Sequence, residues 1–267
     1  MVESFKTALR ESNMAENTIS AYVYAVNDYF SKHKTLNKRN LLLYKANLIE
    51  QFKPKTVNLR IQALNKFLEH VGKPKLRLKS VKVQQRSYLE NVISQADYIF
   101  FKKKLKQEEN LMWYFVVRFL TATGARVSEL IQIKVEHVRI GYFDIYSKGG
   151  NVRRLFIPKR LREETEKWFK ETQQSTGYIF RNRFGERITT RGISQQLKNY
   201  AERYGLNANV VYPHSFRHRY AKNFLEAFND IALLADLMGH ESIETTRIYL
   251  RRTASEQQAI VDKVITW

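Results

Sequence analysis

Residues 213–249 read PHSFRHRYAKNFLEAFNDIALLADLMGHESIETTRIY, and the interpretation of the whole chain starts from this stretch. Its periodicity predicts three helices, near 214–228, 230–238 and 242–251. The side chains within it that can donate hydrogen bonds or exchange protons include His214, Arg217, His240 and Tyr249. The stretch therefore combines helical structure with groups suited to binding and transforming an anion.

Two further cationic motifs precede this stretch. Arg126 lies in TGARVSEL at 123–130, and Lys148 lies at the turn of a β-hairpin predicted over 140–158. Residues 178–180 suggest one more strand, whereas most other segments follow the helical period. Glu129 is expected to orient a neighbouring arginine or to cap a helix, and His218 to be structural or to contact a phosphate.

In chain order, the sequence carries an arginine, a lysine on a β-turn, His-x-x-Arg, Gly-His and then a tyrosine. This order resembles the tyrosine recombinase (phage integrase) family, and its two-domain Xer-like members most closely. The resemblance implies a mainly α fold, with a helical core-binding (SAM-like) domain and an α-rich catalytic domain that holds a small β-sheet. It predicts a core-type DNA-binding domain at 1–72, a basic linker at 73–86 and a catalytic domain at 87–267.

The resemblance also implies metal-free phosphoryl transfer on DNA. Tyr249 would attack the scissile phosphate, form a 3′-phosphotyrosine and release a 5′-hydroxyl, and strand exchange would pass through a Holliday junction. Arg126 and Arg217 would bind the non-bridging oxygens through forked donors, and His240 would add a donor. Lys148 would protonate the leaving oxygen, and His214 would help to deprotonate Tyr249. Because bond energy stays in the phosphotyrosine, no cofactor is expected.

The charge of the chain points to a polyanionic partner. Lys and Arg number 46 against 26 Asp and Glu, a formal net charge of +20. Nucleic acid is the first candidate for this partner, and a membrane surface or a ribosome is the second. The third interpretation is a basic surface that binds no partner. The predicted partners are double-stranded DNA at specific recombination sites and further copies of the chain, as a tetramer on DNA. No small-molecule substrate is expected.

The predicted linker is strongly basic, since 73–86 reads KPKLRLKSVKVQQR. Fully extended, it spans about 46–50 Å, against about 12 Å for the width of a major groove. Two basic domains on this tether could close around a duplex. The predicted DNA contacts in the linker and just after the hairpin turn are Lys73, Lys75, Arg77, Lys79, Lys82, Arg86, Arg153 and Arg154.

Several other classes find no support in the sequence. There is no cysteine, which excludes disulfides and thiolate metal sites, and no Gly-rich phosphate loop is present. His214 and His218 have a metal-ligand spacing, but Arg217 lies between them and its charge opposes a cation. No apolar run is long enough for a membrane span, so a cytoplasmic, nucleoid-associated protein is expected.

The function and the docking of the C-terminal tail both stay open at this point. A type IB topoisomerase shares the same catalytic residue types, and a catalytically idle DNA-binding protein is a further alternative. On a helix from Ser242, Tyr249 lies about 120° from the face of Ile243 and Leu250, which predicts that it projects into a cleft. The predicted exchange tail, 251–267, could dock on its own domain or on a neighbouring copy through Ile260, Val264 and Trp267.

Overall fold

A computed structural model describes residues 1–83, 91–146, 152–240, 242–250 and 254–265. The chain divides into two compact units, Met1–Gln85 and Arg86–Trp267, and each is described by itself. The first unit contains α1 (Val2–Glu11), α2 (Glu16–Lys32), α3 (Lys38–Gln51), α4 (Pro54–His70) and a 3₁₀ turn (Pro74–Leu76).

Helices α1–α4 of the first unit are amphipathic and bury their apolar faces in one core. Pro54 occupies the first turn of α4, where its missing N–H costs nothing. The side chain of Asn37 caps α3 by accepting from the Asn40 N–H at 2.8 Å. Phe5 of α1 and Phe67 of α4 meet edge to face, with ring centroids 5.1 Å apart. The helical bundle expected from the sequence is thus present.

Residues 73–81, the first part of the predicted linker at 73–86, run along this bundle. Leu78 is buried in the bundle core. Asn65 on α4 accepts from the Leu78 N–H at 2.8 Å and donates to its carbonyl at 2.9 Å. Asn58, two turns earlier, pairs with both backbone groups of Val81 in the same way. We call residues 73–83 the basic strap.

The second unit contains the remaining elements. They are α5 (Gln95–Gln107), α6 (Leu111–Thr123), α7 (Val127–Leu130), α8 (Val135–Ile140), β1 (Tyr142–Tyr146), β2 (Val152–Phe156), α9 (Lys159–Glu171), α10 (Thr190–Arg203), α11 (Pro213–Ala227), α12 (Ile231–Met238), α13 (Ile243–Arg247), a second 3₁₀ turn (Ile248–Leu250) and α14 (Ala254–Val264). The apolar helix α6 lies at the centre and packs against α5, α9 and α11. This packing brings the start of α7 close to α11.

Strands β1 and β2 form the predicted antiparallel hairpin, with Ile145 opposite Arg153 and Asp144 opposite Arg154. Its turn, including Lys148, lies outside the described residues. Residues 178–180 were predicted as a strand, but in the described chain Tyr178 forms only an isolated bridge to Lys134. Ile179 and Phe180 are instead buried in the core of the second unit, so their apolar character reflects packing rather than sheet pairing.

No helix in the described ranges combines the length and the hydropathy that a bilayer crossing needs.

Candidate active site

The first part of the site is the turn between α6 and α7. Gly124 ends α6 in the left-handed region at φ 64°, and a Cβ there would overlap the Tyr220 ring. Arg126 then starts α7. Glu129 accepts from the Arg126 backbone N–H at 2.7 Å and from its Nη1 at 2.9 Å. Glu129 therefore caps α7 and orients Arg126, as predicted from the sequence.

Arg217 reaches the same region from α11, with its side chain fully buried. Its Nη1 donates to the Gly124 carbonyl, and its Nη2 donates to the Met238 carbonyl at 2.7 Å. Burial, and then the positive charge of Arg126, lower the pKa of Arg217 to about 10. Arg217 is therefore still protonated at neutral pH and ties together the ends of two helices.

The C-terminus of α12 receives three guanidinium groups. Gly239 and His240 close the helix by donating backbone N–H bonds to Asp236 and Ala235, each at 3.0 Å. The next three carbonyls accept from three different arginines: Leu237 from Arg153, Met238 from Arg217 and Gly239 from Arg126. Because these carbonyls carry the negative end of the helix dipole, they offset the clustered positive charge.

His240 follows directly and contacts the arginine cluster. Its Nε2 lies 3.2 Å from Arg217 Nη2 and its Nδ1 lies 2.7 Å from Thr246 Oγ1. Burial, and then the charges of Arg217, Arg126 and Arg153, lower the pKa of His240 to about 4. His240 is therefore neutral at pH 7 in the free protein.

Tyr249 lies in the 3₁₀ turn after α13 and packs beside His240, with ring centroids 6.0 Å apart and planes 16° apart. Its side chain is buried against Ala221, Leu234 and Met238. Burial raises the pKa of Tyr249, while the charge of Arg217 opposes that rise. The site thus holds a neutral phenol, sheltered from solvent and next to a fixed cation.

The face predicted for Tyr249 needs correction. Ile243 and Leu250 are about half exposed, whereas Thr246 and Tyr249 are buried. The helix ends at Arg247 and the chain tightens into a 3₁₀ turn, so Thr246 and Tyr249, three residues apart, share the inward side. Tyr249 does not project into an open cleft in the free protein. It packs beneath His240.

Two histidines at the start of α11 complete the cluster. The rings of His214 and His218 meet edge to face at 4.7 Å, and His218 contacts the Tyr249 ring at 5.0 Å. Partial burial and the charges of Arg217 and Arg126 lower the pKa of His214. Burial, followed by the charge of His214, lowers the pKa of His218 to about 3. Both imidazoles are therefore neutral at pH 7, and His214 is exposed to solvent.

The predicted DNA-contact residues fall into two groups. The strap side chains Lys73, Lys75, Arg77, Lys79 and Lys82 are all exposed, although Arg77 also pairs with Glu69 at 2.8 Å. Arg86 lies outside the described residues. On β2, Arg154 is paired with Asp144 and stacks on the Tyr142 ring at 3.8 Å.

Arg153 was predicted to contact phosphate, but its side chain is only 12% exposed and is ion-paired with Glu129. Strand alternation explains the difference, because Arg153 shares the inward face of β2 with Leu155 while Arg154 points outward. A cleft of about 820 Å³ opens between the hairpin and α12, and its wall includes Arg126, Arg153 and His240.

Comparison with known proteins identifies the family of the chain. Residues 90–256 match the phage integrase family. The tyrosine recombinase XerA of Pyrococcus furiosus is 28% identical over 98% of this chain and 93% of its own length. The tyrosine recombinase XerD of Oceanobacillus iheyensis is 25% identical over 94% of this chain and 93% of its own length.

Solved structures share the fold at lower identity. A lambda integrase dimer bound to a core site superposes with a TM-score of 0.74 at 15% identity, over 93% of this chain and 75% of that chain. The Tn1549 transposon integrase in complex with transposon right end DNA gives a TM-score of 0.73 at 14% identity, over 99% of both chains. The mainly α fold with one small sheet is confirmed.

Because the family match covers more than half of its length, the chain belongs to the phage integrase family. Together with its relatives, this makes it a tyrosine-type site-specific DNA recombinase, an enzyme that breaks and rejoins DNA strands.

Proposed function

We propose that Tyr249 is the nucleophile of this recombinase and that Arg126, Arg217 and His240 bind the scissile phosphate. The observation that carries the proposal is their convergence on the C-terminus of α12, beside the Tyr249 ring. These residues come from distant parts of the sequence. A fixed set of cationic donors next to a phenol is suited to attack on a phosphodiester.

The two arginines contribute differently. The Arg126 side chain is 41% exposed and can extend a forked pair of donors to phosphate oxygens. The buried Arg217 Nε has no acceptor among the described residues. This donor supports a direct role in phosphate binding, because buried N–H groups without partners are rare in proteins. The negative phosphate also favours protonation of His240, which then becomes a further donor.

The proposed proton transfers balance without a cofactor. The Tyr249 hydroxyl gives its proton to neutral His214 as its oxygen attacks phosphorus. The bond from phosphorus to the 5′-oxygen breaks, and Lys148 protonates that oxygen. The 5′-hydroxyl of a partner strand then gives its proton to the neutral Lys148 as it attacks the 3′-phosphotyrosine, and the departing Tyr249 oxygen takes its proton back from His214. The assignment of Lys148 rests on its sequence position alone.

The partner is double-stranded DNA carrying a specific site, bound in part by the basic strap. Five exposed strap cations lie on a backbone held by Asn58 and Asn65. DNA-bound structures with the same fold, including XerH bound to difH, support this partner. Action on DNA would place the protein at the nucleoid, in the cytoplasm.

We further propose assembly as a homotetramer on DNA through the C-terminal tail. In α14 and just after it, Val261, Val264 and Ile265 are each about half exposed. A half-exposed apolar set at the chain end is suited to docking on a neighbouring copy, which favours docking in trans. Of the three residues on which the stripe was predicted, Trp267 lies outside the described residues, and only the backbone of Ile260 is described.

A nicked suicide duplex that carries the target site tests the function. Cleavage releases a short strand, which prevents religation and traps a covalent adduct. The unsubstituted protein should form this adduct, and two intact sites should give Holliday junctions. Relaxation of supercoils without Holliday junctions would favour a topoisomerase instead. Absence of any adduct would favour an idle DNA-binding protein.

A further inference from the structure

Arg153 connects the hairpin to the active site through buried contacts. Its Nη1 donates to the Leu237 carbonyl at 2.5 Å, and its Nη2 pairs with Glu129. The side chains of Arg153 and Glu129 are only 12% and 7% exposed. The Glu129 carboxylate therefore serves two arginines, one on β2 and one at the start of α7. Burial would raise the pKa of Glu129, but hydrogen bonds from both arginines and the charge of Arg153 outweigh it and lower the pKa.

The packing around Gly239 shows how tightly this contact is built. Gly239 has φ 61°, a conformation that favours glycine. A Cβ at this position would also overlap Arg153 Cδ and lie 2.7 Å from its Nε. The backbone that carries His240 thus lies directly against the Arg153 side chain. Any shift of Arg153 changes where the Gly239–His240 segment can lie.

We propose that Arg153 is a positioning residue: by bridging Glu129 and the Leu237 carbonyl, it fixes the Gly239–His240 segment and keeps Arg126 available to the scissile phosphate. This inference rests on the proposed phosphate-binding role of Arg126 and His240. Arg153 itself does not contact DNA in this proposal.

The effect on Arg126 follows from the sharing of Glu129. Arg126 uses Nη1 for Glu129 Oε1 and Nη2 for the Gly239 carbonyl, while Arg153 occupies Oε2. Without Arg153, one carboxylate oxygen would lose its side-chain partner. Arg126 would then donate from both of its terminal nitrogens to Glu129, because a bidentate arginine–carboxylate pair is stronger than a single hydrogen bond. That geometry draws Arg126 away from a phosphate.

The pKa of His240 offers a readout that separates this role from general stability. The groups that act on His240 or contact it come from several elements: Arg217, His214 and His218 on α11, Arg126 at the start of α7, Arg153 on β2, Thr246 on α13 and Tyr249 after it. Loss of the Arg153 charge should raise the pKa of His240, since one repulsive cation is removed.

The experiment compares Arg153→Ala, Arg153→Lys and Arg154→Ala by NMR titration of the His240 imidazole and by single-turnover cleavage. Arg154→Ala removes the same charge from the outward face of the same strand. We expect Arg153→Ala to raise the His240 pKa from about 4 and to slow cleavage about 10- to 100-fold, with DNA affinity within about 2-fold. Arg154→Ala should leave the His240 pKa unchanged.

Arg153→Lys keeps the charge, but a lysine cannot bridge Glu129 and the Leu237 carbonyl as the guanidinium does. It should hold the His240 pKa low and recover cleavage only in part. An unchanged His240 pKa in Arg153→Ala, or a loss of DNA affinity that matches the loss of cleavage, would overturn the inference and make Arg153 a phosphate contact. If Arg153→Ala does not fold, Arg153→Lys decides the question, since full cleavage activity there would also overturn it.

These outcomes are distinct from failure of the proposed function. If the unsubstituted protein forms no covalent adduct, the proposed function is contradicted. If it forms the adduct and Arg153→Ala behaves like the parent in both assays, only the role of Arg153 is contradicted.

Discussion

Nη2 of Arg217 lies 3.2 Å from Nε2 of His240. A guanidinium group can only donate, so this imidazole nitrogen accepts, and the proton of the neutral ring sits on Nδ1. Nδ1 in turn donates to Thr246 Oγ1, 2.7 Å away. One buried arginine therefore sets the tautomer of His240, and Thr246 orients the ring.

Stability should fall on acidification because His218 is buried and His240 is partly buried. The folded-state pKa values of His218 and His240 are about 3 and about 4, below the ordinary histidine value of about 6.5. Below pH 6.5 the unfolded state therefore binds more protons than the folded state. Each histidine should cost at most about 1.4 kcal/mol per pH unit below 6.5, down to its folded-state pKa.

Urea unfolding at pH 7, 6 and 5 measures this slope. His218→Asn should flatten it, because asparagine does not titrate. The unsubstituted protein provides the comparison. A slope that is the same in both proteins would contradict the burial of a neutral His218.

Tyr249→Phe should abolish covalent adduct formation while leaving DNA affinity within about 2-fold. The hydroxyl is the proposed nucleophile and contributes little to ground-state binding. The matched control is Tyr146→Phe, since Tyr146 is a tyrosine of the same unit that is 79% exposed. Trapping on a suicide duplex measures the adduct, and an adduct formed by Tyr249→Phe would remove Tyr249 from its proposed role.

Arg126→Ala and Arg217→Ala should both lower single-turnover cleavage, by roughly 10²–10³, but they should differ in stability. Arg217 is 1% exposed and bonds two backbone carbonyls. Its loss leaves those carbonyls unpaired, at about 1–3 kcal/mol each. Arg126 is 41% exposed, so its loss should change stability much less. Equal unfolding free energies in the two variants would contradict the buried bonding of Arg217.

Neutralising Lys73, Lys75, Arg77 and Lys79 together should flatten the salt dependence of DNA binding. If about eight phosphates are neutralised by the protein, log K should fall with log salt at a slope near −7. Removing four contacts should bring this slope to about −3 or −4.

Asn65→Ala tests whether the fixed backbone of the strap contributes to DNA affinity. It keeps every charge but removes both hydrogen bonds to Leu78. The affinity for DNA should fall, because the strap of this variant would lose conformational entropy when it is ordered on DNA, and this loss opposes binding. If neutralising Lys73, Lys75, Arg77 and Lys79 leaves the salt dependence of DNA binding unchanged, the strap lies away from DNA.

Deleting residues 255–267 should leave a folded protein that binds a single DNA site but does not assemble two sites or recombine them. Exposed Val261, Val264 and Ile265 would be lost with this segment. Thermal unfolding, a gel-shift ladder and a two-site recombination assay measure the three properties. Loss of the fold would instead mean that the tail packs on its own domain, and normal recombination would remove its role in assembly.

The sequence by itself determined the family and the positions of the catalytic candidates. Arg126, Arg217, His240 and Tyr249 were found because each lies in a short motif, and the motifs follow one another in a recognisable order. The helices were also predictable, since their apolar stripes and turn residues are local signals. Strand alternation could have shown that Arg153 faces inward beside Leu155.

Only the tertiary structure decided which charges meet. Arg153 and Arg154 are adjacent and of the same type, yet one pairs with Glu129 and the other with Asp144. The strap residues resemble a linker in composition, but Asn58 and Asn65 bind their backbone. Tyr249 is buried because Thr246, rather than Ile243, faces the core. Each outcome depends on contacts between residues far apart in the chain, and local periodicity does not encode such contacts.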